Sequence, residues 1–392
     1  MSTRPRLEFL KTEAGAGLLL AAAALLAIAW ANSPWAGAYH AFVDRGVPVR
    51  IGPFAEEMSV RLWVSTGLMP IFFFLLGLEM KREILRGELS NPRRLPLPLL
   101  AAAGGLAVPA LIYLVFNIGD GGQLASWPAA TATDTAVALA ALAAAGPRIP
   151  PSLRTFLLSV ALASQLAVVA LVALLFTEDL RFPMLACAAV TTAVLVAMSR
   201  WRAAPYSFWA VGGLLLWAFT LKSGVDPSLA GVAVAFCLPL EPKRAGGRGV
   251  LDETLEALHP YVMFLVLPLF AFTAAGFSVA LGGDVLGSAG WGVALALFLG
   301  KPAGVFGATA LAIALKWARR PTGARWLELL AAAGLCGIGF TLSLYVGALA
   351  PAGADPASAD QIRAGVMLGS LASAALGLAL LALSGGRRSA ET

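Results

Sequence analysis

The chain has 392 residues, 59% of them hydrophobic and only 13% charged, with 28 Lys+Arg against 22 Asp+Glu. Mean hydropathy is +0.81 and the pI is near 9.5, a membrane-protein composition; no stretch is polar enough for a separate soluble domain, and no compact basic domain exists to bind nucleic acid. A spanning helix needs about 20 mainly apolar residues. The sequence offers twelve, at 14–31, 60–78, 95–116, 125–145, 153–176, 182–199, 205–220, 225–240, 258–277, 290–315, 327–350 and 364–384. The expected fold is an all-α multispan membrane protein, residues 1–392 forming one integral membrane domain. The first run follows basic residues as a secretory signal does, and Ala29-Trp30-Ala31 resembles a cleavage site. It is long and further spans follow, so it is read as a retained first helix.

The Lys/Arg distribution sets orientation. With the N-terminus in the cytoplasm, only Arg45, Arg50, Arg61, Arg181, Lys222 and Arg363 fall on the outer side. All the others except Lys301 fall on the inner side, which puts both termini in the cytoplasm. Cys187, Cys237 and Cys336 are scattered through apolar segments and do not make a disulfide framework. His40 and His259 lack ligand-like spacing, and Gly104-Gly105 lies inside a span, where it permits close helix packing rather than cradling a phosphate. Nothing in the chain implies a cofactor, a stable metal site, an enzyme or ATP-driven transport.

Two charges are central in apolar segments: Asp134 in 129–145 and Lys301 in 291–315. A charge at bilayer depth costs about 3 kcal/mol on insertion scales, so it needs a partner, a water cavity or a role in an ion path. A buried structural ion pair between the two is the simpler reading; lining a substrate or ion path is the functional one.

Two spans look broken. The fourth carries Pro128 and then Thr131-Ala132-Thr133-Asp134-Thr135; the eleventh carries Gly334-Leu335-Cys336-Gly337-Ile338-Gly339-Phe340-Thr341. Pro removes a backbone donor and Gly weakens a helix. Irregular backbone at membrane depth is tolerated where it is buried in protein or lines a cavity, and two interrupted segments in corresponding halves point to a transporter's binding site. Residues 95–176 and 290–384 are the candidate inverted repeats. Facing half-helix N-termini suit a carboxylate and facing C-termini an ammonium, so Asp134 and Lys301 are expected close to both breaks.

The chain resembles the NhaA-type sodium/proton antiporter family over almost its whole length. The resemblance rests on Ala31-Asn32-Ser33, Phe73-Phe74-Leu75-Leu76-Gly77-Leu78-Glu79-Met80-Lys81-Arg82-Glu83, Thr133-Asp134, Leu221-Lys222-Ser223-Gly224-Val225 and Leu258-His259-Pro260. It continues with Pro268-Leu269-Phe270-Ala271-Phe272, Gly300-Lys301-Pro302 and Cys336-Gly337-Ile338-Gly339-Phe340-Thr341, in the family's order. It implies inverted repeats with helices four and eleven broken, and a secondary transporter of the bacterial inner membrane that moves sodium or lithium out against protons. It also implies an ion and proton pathway at Asp134, Lys301, Thr133 and Thr341, with transient sodium at Asp134. The positions of Ser164 and Gln165 belong to the same pathway. A pH-responsive cluster is implied at Glu79, Glu83, Glu253 and Glu256. Lys81 and Arg82 there read more simply as a positive-inside anchor with surface ion pairs. The first outer loop, around Val47-Pro48-Val49-Arg50-Ile51-Gly52, is expected to form a hairpin that joins two protomers.

One departure bears on mechanism. After Leu153-Arg154-Thr155-Phe156-Leu157-Leu158 the family carries two adjacent aspartates, its ion- and proton-binding centre; here Ser164 and Gln165 occupy those positions. The flanks align without a gap through Phe176-Thr177-Glu178-Asp179-Leu180. Asp226 stands where the family often has a histidine, and Thr131-Ala132 where it has Ala-Ala. Ser and Gln supply neutral oxygens but release no proton at physiological pH. Asp134 and Lys301 are then expected to be the only deep titratable groups, which leaves room for one proton per cycle, and the family's usual stoichiometry does not carry over. Three readings stay open: an antiporter with altered or weakened coupling, a relative that moves another solute such as an anion, and a membrane scaffold without transport.

Overall fold

The computed structural model describes residues 13–51, 54–92, 94–119, 123–146, 149–177, 179–200, 205–240, 249–278, 285–349 and 356–389. The basic N-terminal residues Arg4, Arg6 and Lys11, and Gly52 of the expected hairpin, lie outside them. In chain order the elements are α1 (Glu13–Ala31), α2 (Ala36–Val43), β1 (Gly46–Ile51), β2 (Phe54–Ser59), α3 (Val60–Arg86) and α4 (Pro96–Asn117). A 3-10 segment (Leu124–Ala130) precedes α5 (Thr135–Ala144), and α6 (Pro151–Leu175), α7 (Phe182–Ser199), α8 (Tyr206–Ser223), α9 (Ser228–Cys237) and α10 (Val250–Ala275) follow. The chain continues with α11 (Gly287–Ala314), α12 (Trp326–Leu335), α13 (Phe340–Ala348) and α14 (Pro356–Ser389).

This is an all-α multispan membrane protein. Among the described residues eight helices are long and apolar enough to cross a bilayer, nine if the bent α1–α2 pair counts as one. The other expected spans are interrupted, short or less apolar rather than absent. The fourth is broken into the 3-10 segment and α5, and α9 has 10 residues, only about 15 Å of helix; α8 is as long as α7 but carries Lys222 and other polar residues. α10 starts before 258 because Val250, Leu251 and Leu255 are buried while Asp252 and Glu253 sit in its first turn, where carboxylates favour the helix dipole.

The chain divides into two compact units. The first takes Met1–Leu18, Arg86–Ala170 and Phe277–Thr392, so both stretches considered as repeats fall almost wholly within it. Its scaffold is a tight contact of α4 with α11. A Cβ on Gly104 would lie 2.6 Å from the Ala308 Cβ, and one on Gly300 would lie 2.9 Å from the Pro109 Cα. Only small residues let backbones approach so closely, the usual solution where lipid offers no hydrophobic drive for helix association. α14 packs on α11 in the same way, with Gly369 against the Ala294 backbone.

The second unit takes Leu19–Leu85 and Leu171–Gly276. It holds the antiparallel hairpin, with Val49 opposite Glu56 and Ile51 opposite Phe54; strands thus occupy the stretch where a hairpin was expected. Buried Tyr39 donates to the Phe272 carbonyl at 2.8 Å and packs on the Trp30 and Phe272 rings. Lys81 corrects the reading of it as a surface anchor. It is buried, and its Nζ donates to the carbonyls of Phe236 at 2.6 Å and Leu238 at 2.5 Å, which caps the C-terminus of α9. Arg82 is exposed.

Candidate functional site

The site is built where the two interrupted spans of the first unit cross. Pro128 lies in the 3-10 segment, residues 132–134 are irregular, and Asp134 is extended before α5 begins. The second break, 336–339, separates α12 from α13. The segments are joined by main-chain and side-chain bonds. The Asp134 N–H donates to the Ile338 carbonyl at 2.6 Å, and the Thr133 hydroxyl to the Cys336 carbonyl at 2.8 Å. Each break thus satisfies polar groups the other exposes, as irregular backbone inside a membrane requires.

Asp134 is the N-cap of α5, with Oδ1 accepting from the Val137 N–H at 3.3 Å. Its Oδ2 accepts from the Thr341 N–H at 3.1 Å and from the Thr341 hydroxyl. One carboxylate therefore receives donors from the N-terminal turns of two half-helices, α5 and α13, where helix dipoles favour negative charge. Lys301 is fully buried and its Nζ donates to the Thr133 hydroxyl at 2.8 Å. No direct ion pair joins Asp134 to Lys301 among the described residues: the Thr133 hydroxyl accepts a hydrogen bond from the Lys301 ammonium and donates its own to the Cys336 carbonyl. Asp134, the next residue in the chain, is held instead by Val137 and Thr341. The C-terminal end of α12 is reached through the Thr133 hydroxyl rather than by the amine itself.

A π turn at Ala296–Gly300 precedes Lys301. In it the Lys301 N–H bonds to the Ala296 carbonyl, which frees the carbonyl of Leu297. Ser373 of α14 donates to that carbonyl at 3.1 Å, and Ser370 accepts from the Gly339 N–H at 3.2 Å. These two serines support both sides of the site and were missed in the sequence; the available signal was their i, i+3 spacing on one face of an apolar helix.

Gln165 reaches the same crossing, its Nε2 donating to the Thr133 carbonyl at 3.3 Å. Gln165 and Ser164 are buried at 3% and 1% exposure. The Gln165 Oε1 and the Ser164, Thr135 and Ser343 hydroxyls have no hydrogen-bond partner among the described residues. Buried polar oxygens without partners are uncommon and call for an explanation; neutral oxygens of this kind suit a hard cation or its water. Thr133 is thus hydrogen-bonded to Gln165 and Lys301, and its chain neighbour Asp134 to Thr341, with Ser164 adjacent in sequence to Gln165.

Asp134 and Lys301 are not the only buried charges. Lys81, Asp226 and Glu328 are buried too, but each ties down a helix end. Asp226 accepts from the Ser228 N–H at 2.8 Å at the start of α9, and Glu328 accepts from the Arg325 N–H at 2.9 Å in the capping box of α12. The carboxylates considered for pH response lie in the second unit. Glu79 and Glu83 are half-buried on α3; Glu253 and Glu256 are exposed on α10, Glu253 accepting from the Tyr206 hydroxyl at 2.8 Å.

The family model described as Na+/H+ antiporter 1 matches residues 7–381. A Na(+)/H(+) antiporter NhaA of Shewanella sp. (strain ANA-3) is 42% identical over 374 residues, covering 94% of this chain and 95% of that protein. Na(+)/H(+) antiporter NhaA 2 of Pseudomonas savastanoi pv. phaseolicola is 44% identical over 384 residues, covering 97% and 95%. The NhaA antiporter of Campylobacter concisus is 42% identical over 387 residues, covering 98% and 94%.

Proposed function

This chain belongs to the Na+/H+ antiporter 1 family and is a membrane transporter rather than an enzyme, and from that premise we propose that it exchanges sodium or lithium for protons with altered or weakened coupling. The observation that carries the proposal is the pair of unpartnered neutral oxygens, Ser164 Oγ and Gln165 Oε1, beside a crossing whose one carboxylate is Asp134. A sodium ion must exchange its water shell for oxygens and be offset by negative charge. Asp134 supplies the charge, and Ser164, Gln165 and Thr133 supply oxygens. Neither Ser164 nor Gln165 releases a proton at physiological pH, so the proton side of the exchange falls to Asp134 and Lys301 and amounts to one proton per cycle.

Cation binding at Asp134 competes with the donors that hold it. A cation drawing on the carboxylate weakens its bonds to the first turns of α5 and α13, and Thr133, next to Asp134 in the chain and bonded to Lys301, carries that change to the ammonium. This gives both charges access to the exchange without a direct ion pair. The orientation is both termini in the cytoplasm of a bacterial inner membrane, with the cation leaving and protons entering. The stretches 95–176 and 290–384 act as inverted repeats, Glu79, Glu83, Glu253 and Glu256 respond to pH, and the hairpin joins two protomers.

The test is dissipation of a pH gradient by the purified chain in proteoliposomes on adding Na+, Li+, K+ or a series of anions. Weak, cation-specific dissipation by Na+ and Li+ is expected. A response to anions alone, or none to any ion, contradicts the proposal.

A further inference from the structure

The first unit holds a cavity of about 810 Å³. It is walled by the N-terminal ends of α4 and α6 and by the loop that follows α11. Among the described residues four cations line it, Arg94, Lys316, Arg319 and Arg320, and no carboxylate does. The hydroxyl residues Ser152 and Thr155, in the first turns of α6, share the lining, so the positive end of a helix dipole adds to the same field.

The loop is a built element. Lys316 adopts φ +60, and the Trp317 and Ala318 N–H groups both donate to the Ala312 carbonyl, at 3.0 and 3.3 Å. Ser152 donates to the Thr322 carbonyl at 2.6 Å and so fastens the loop to α6. Among the described residues the Lys316 and Arg319 side chains have no hydrogen-bond or ion-pair partner, and Arg320 lies 5.8 Å from the centroid of the Trp326 ring. Like charges held around one cavity repel, and an anion relieves this.

The surroundings distinguish a lipid from a soluble anion. Trp317, which lines the cavity, is 61% exposed, and Leu99 of α4 and Leu311 and Leu315 of α11 are exposed on helices whose ends wall it. Trp favours the headgroup level of a bilayer, and basic pockets at the ends of spanning helices suit anionic headgroups. A free phosphate uses the cations but none of this apolar surface. We propose that the cavity seats the phosphate-bearing headgroup of an anionic membrane lipid, its acyl chains running along Leu99, Leu311 and Leu315.

The experiment uses the full chain in neutral detergent, titrated with phosphatidylglycerol, phosphatidylcholine or inorganic phosphate while the thermal unfolding midpoint is read. Phosphatidylglycerol raises the midpoint at low concentration; phosphatidylcholine and inorganic phosphate at matched concentration do not. The combined Lys316→Gln, Arg319→Gln, Arg320→Gln variant needs roughly a hundredfold more phosphatidylglycerol for half the effect. An equal response to phosphatidylcholine overturns the site, a shift with inorganic phosphate alone overturns its assignment to a lipid, and an unchanged variant overturns the role of the cations. Should the variant not fold, bromine-labelled lipids decide the matter on the wild-type chain. The fluorescence component lost in Trp317→Phe must be quenched more by brominated phosphatidylglycerol than by brominated phosphatidylcholine, and equal quenching rejects the proposal.

Discussion

Replacing Asp134 by Asn and, separately, by Ala divides the two jobs that the structure gives this carboxylate. The side chain caps α5 through Val137 and receives both donors of Thr341 at the start of α13. Asn is about as good an N-cap as Asp, so Asp134→Asn keeps the α5 cap. Its amide still meets the Thr341 hydroxyl, but the Thr341 N–H is left without a good acceptor, at a cost of about 1 kcal/mol. Asp134→Ala loses the cap, about 1 kcal/mol, and leaves both buried Thr341 donors unpaired, about 2 kcal/mol more. Unfolding in detergent, followed by tryptophan fluorescence, should therefore rank wild type, Asn and Ala in falling stability, with the larger step between Asn and Ala. Transport in proteoliposomes should fall to background in both variants, because each removes the negative charge that offsets a cation. An Asn variant that transports as well as wild type refutes the charge role, and an Ala variant as stable as the Asn variant refutes the double cap.

Other substitutions probe the remaining parts. Lys301→Ala removes the donor to Thr133 and one of the two groups proposed to exchange protons, so cation-dependent proton movement in proteoliposomes should vanish or uncouple; unchanged coupling contradicts its role. Gly304→Leu forces side-chain volume onto the Gly104 backbone and should cost about 3 kcal/mol, read as a lower unfolding midpoint. Gly307→Ala on the same helix meets nothing within 4 Å and should stabilise by a few tenths of a kcal/mol to about 1; a similar effect from both would show that the close contact is not what matters. Lys81→Met leaves the Phe236 and Leu238 carbonyls without their ammonium partner, and the midpoint should fall as for a loss of about 2 kcal/mol.

What could be read in the sequence follows from which signals are local. Pro128, Gly337 and Gly339 break helices through their own backbone chemistry, so both interruptions were legible, and two charges in apolar runs marked the site between them. Which atoms meet was not legible. Spacing along the chain does not say that Lys301 meets the Thr133 hydroxyl rather than Asp134, because that depends on how two breaks from distant segments cross. The burial of Lys81 was hidden for the same reason: its acceptors lie on α9, and nothing near Lys81 in sequence distinguishes it from a surface anchor. Ser370 and Ser373 read as small residues in an apolar helix until the π turn before Lys301 shows that a carbonyl there needs a donor. The number of continuous spans was blurred because hydropathy counts apolar length and not the bends, breaks and short helices into which it is divided.

The central claim is that Ser164 and Gln165 set the coupling of this transporter. The direct measurement compares wild type with the combined Ser164→Asp, Gln165→Asp variant in proteoliposomes, following pH-gradient dissipation at several sodium concentrations. Weak sodium-dependent exchange by wild type and a clear gain in the variant is the expected result, with some loss of thermal stability because two adjacent buried carboxylates repel and are costly to desolvate. Robust exchange by the unmodified chain, or a folded variant that gains nothing, contradicts it.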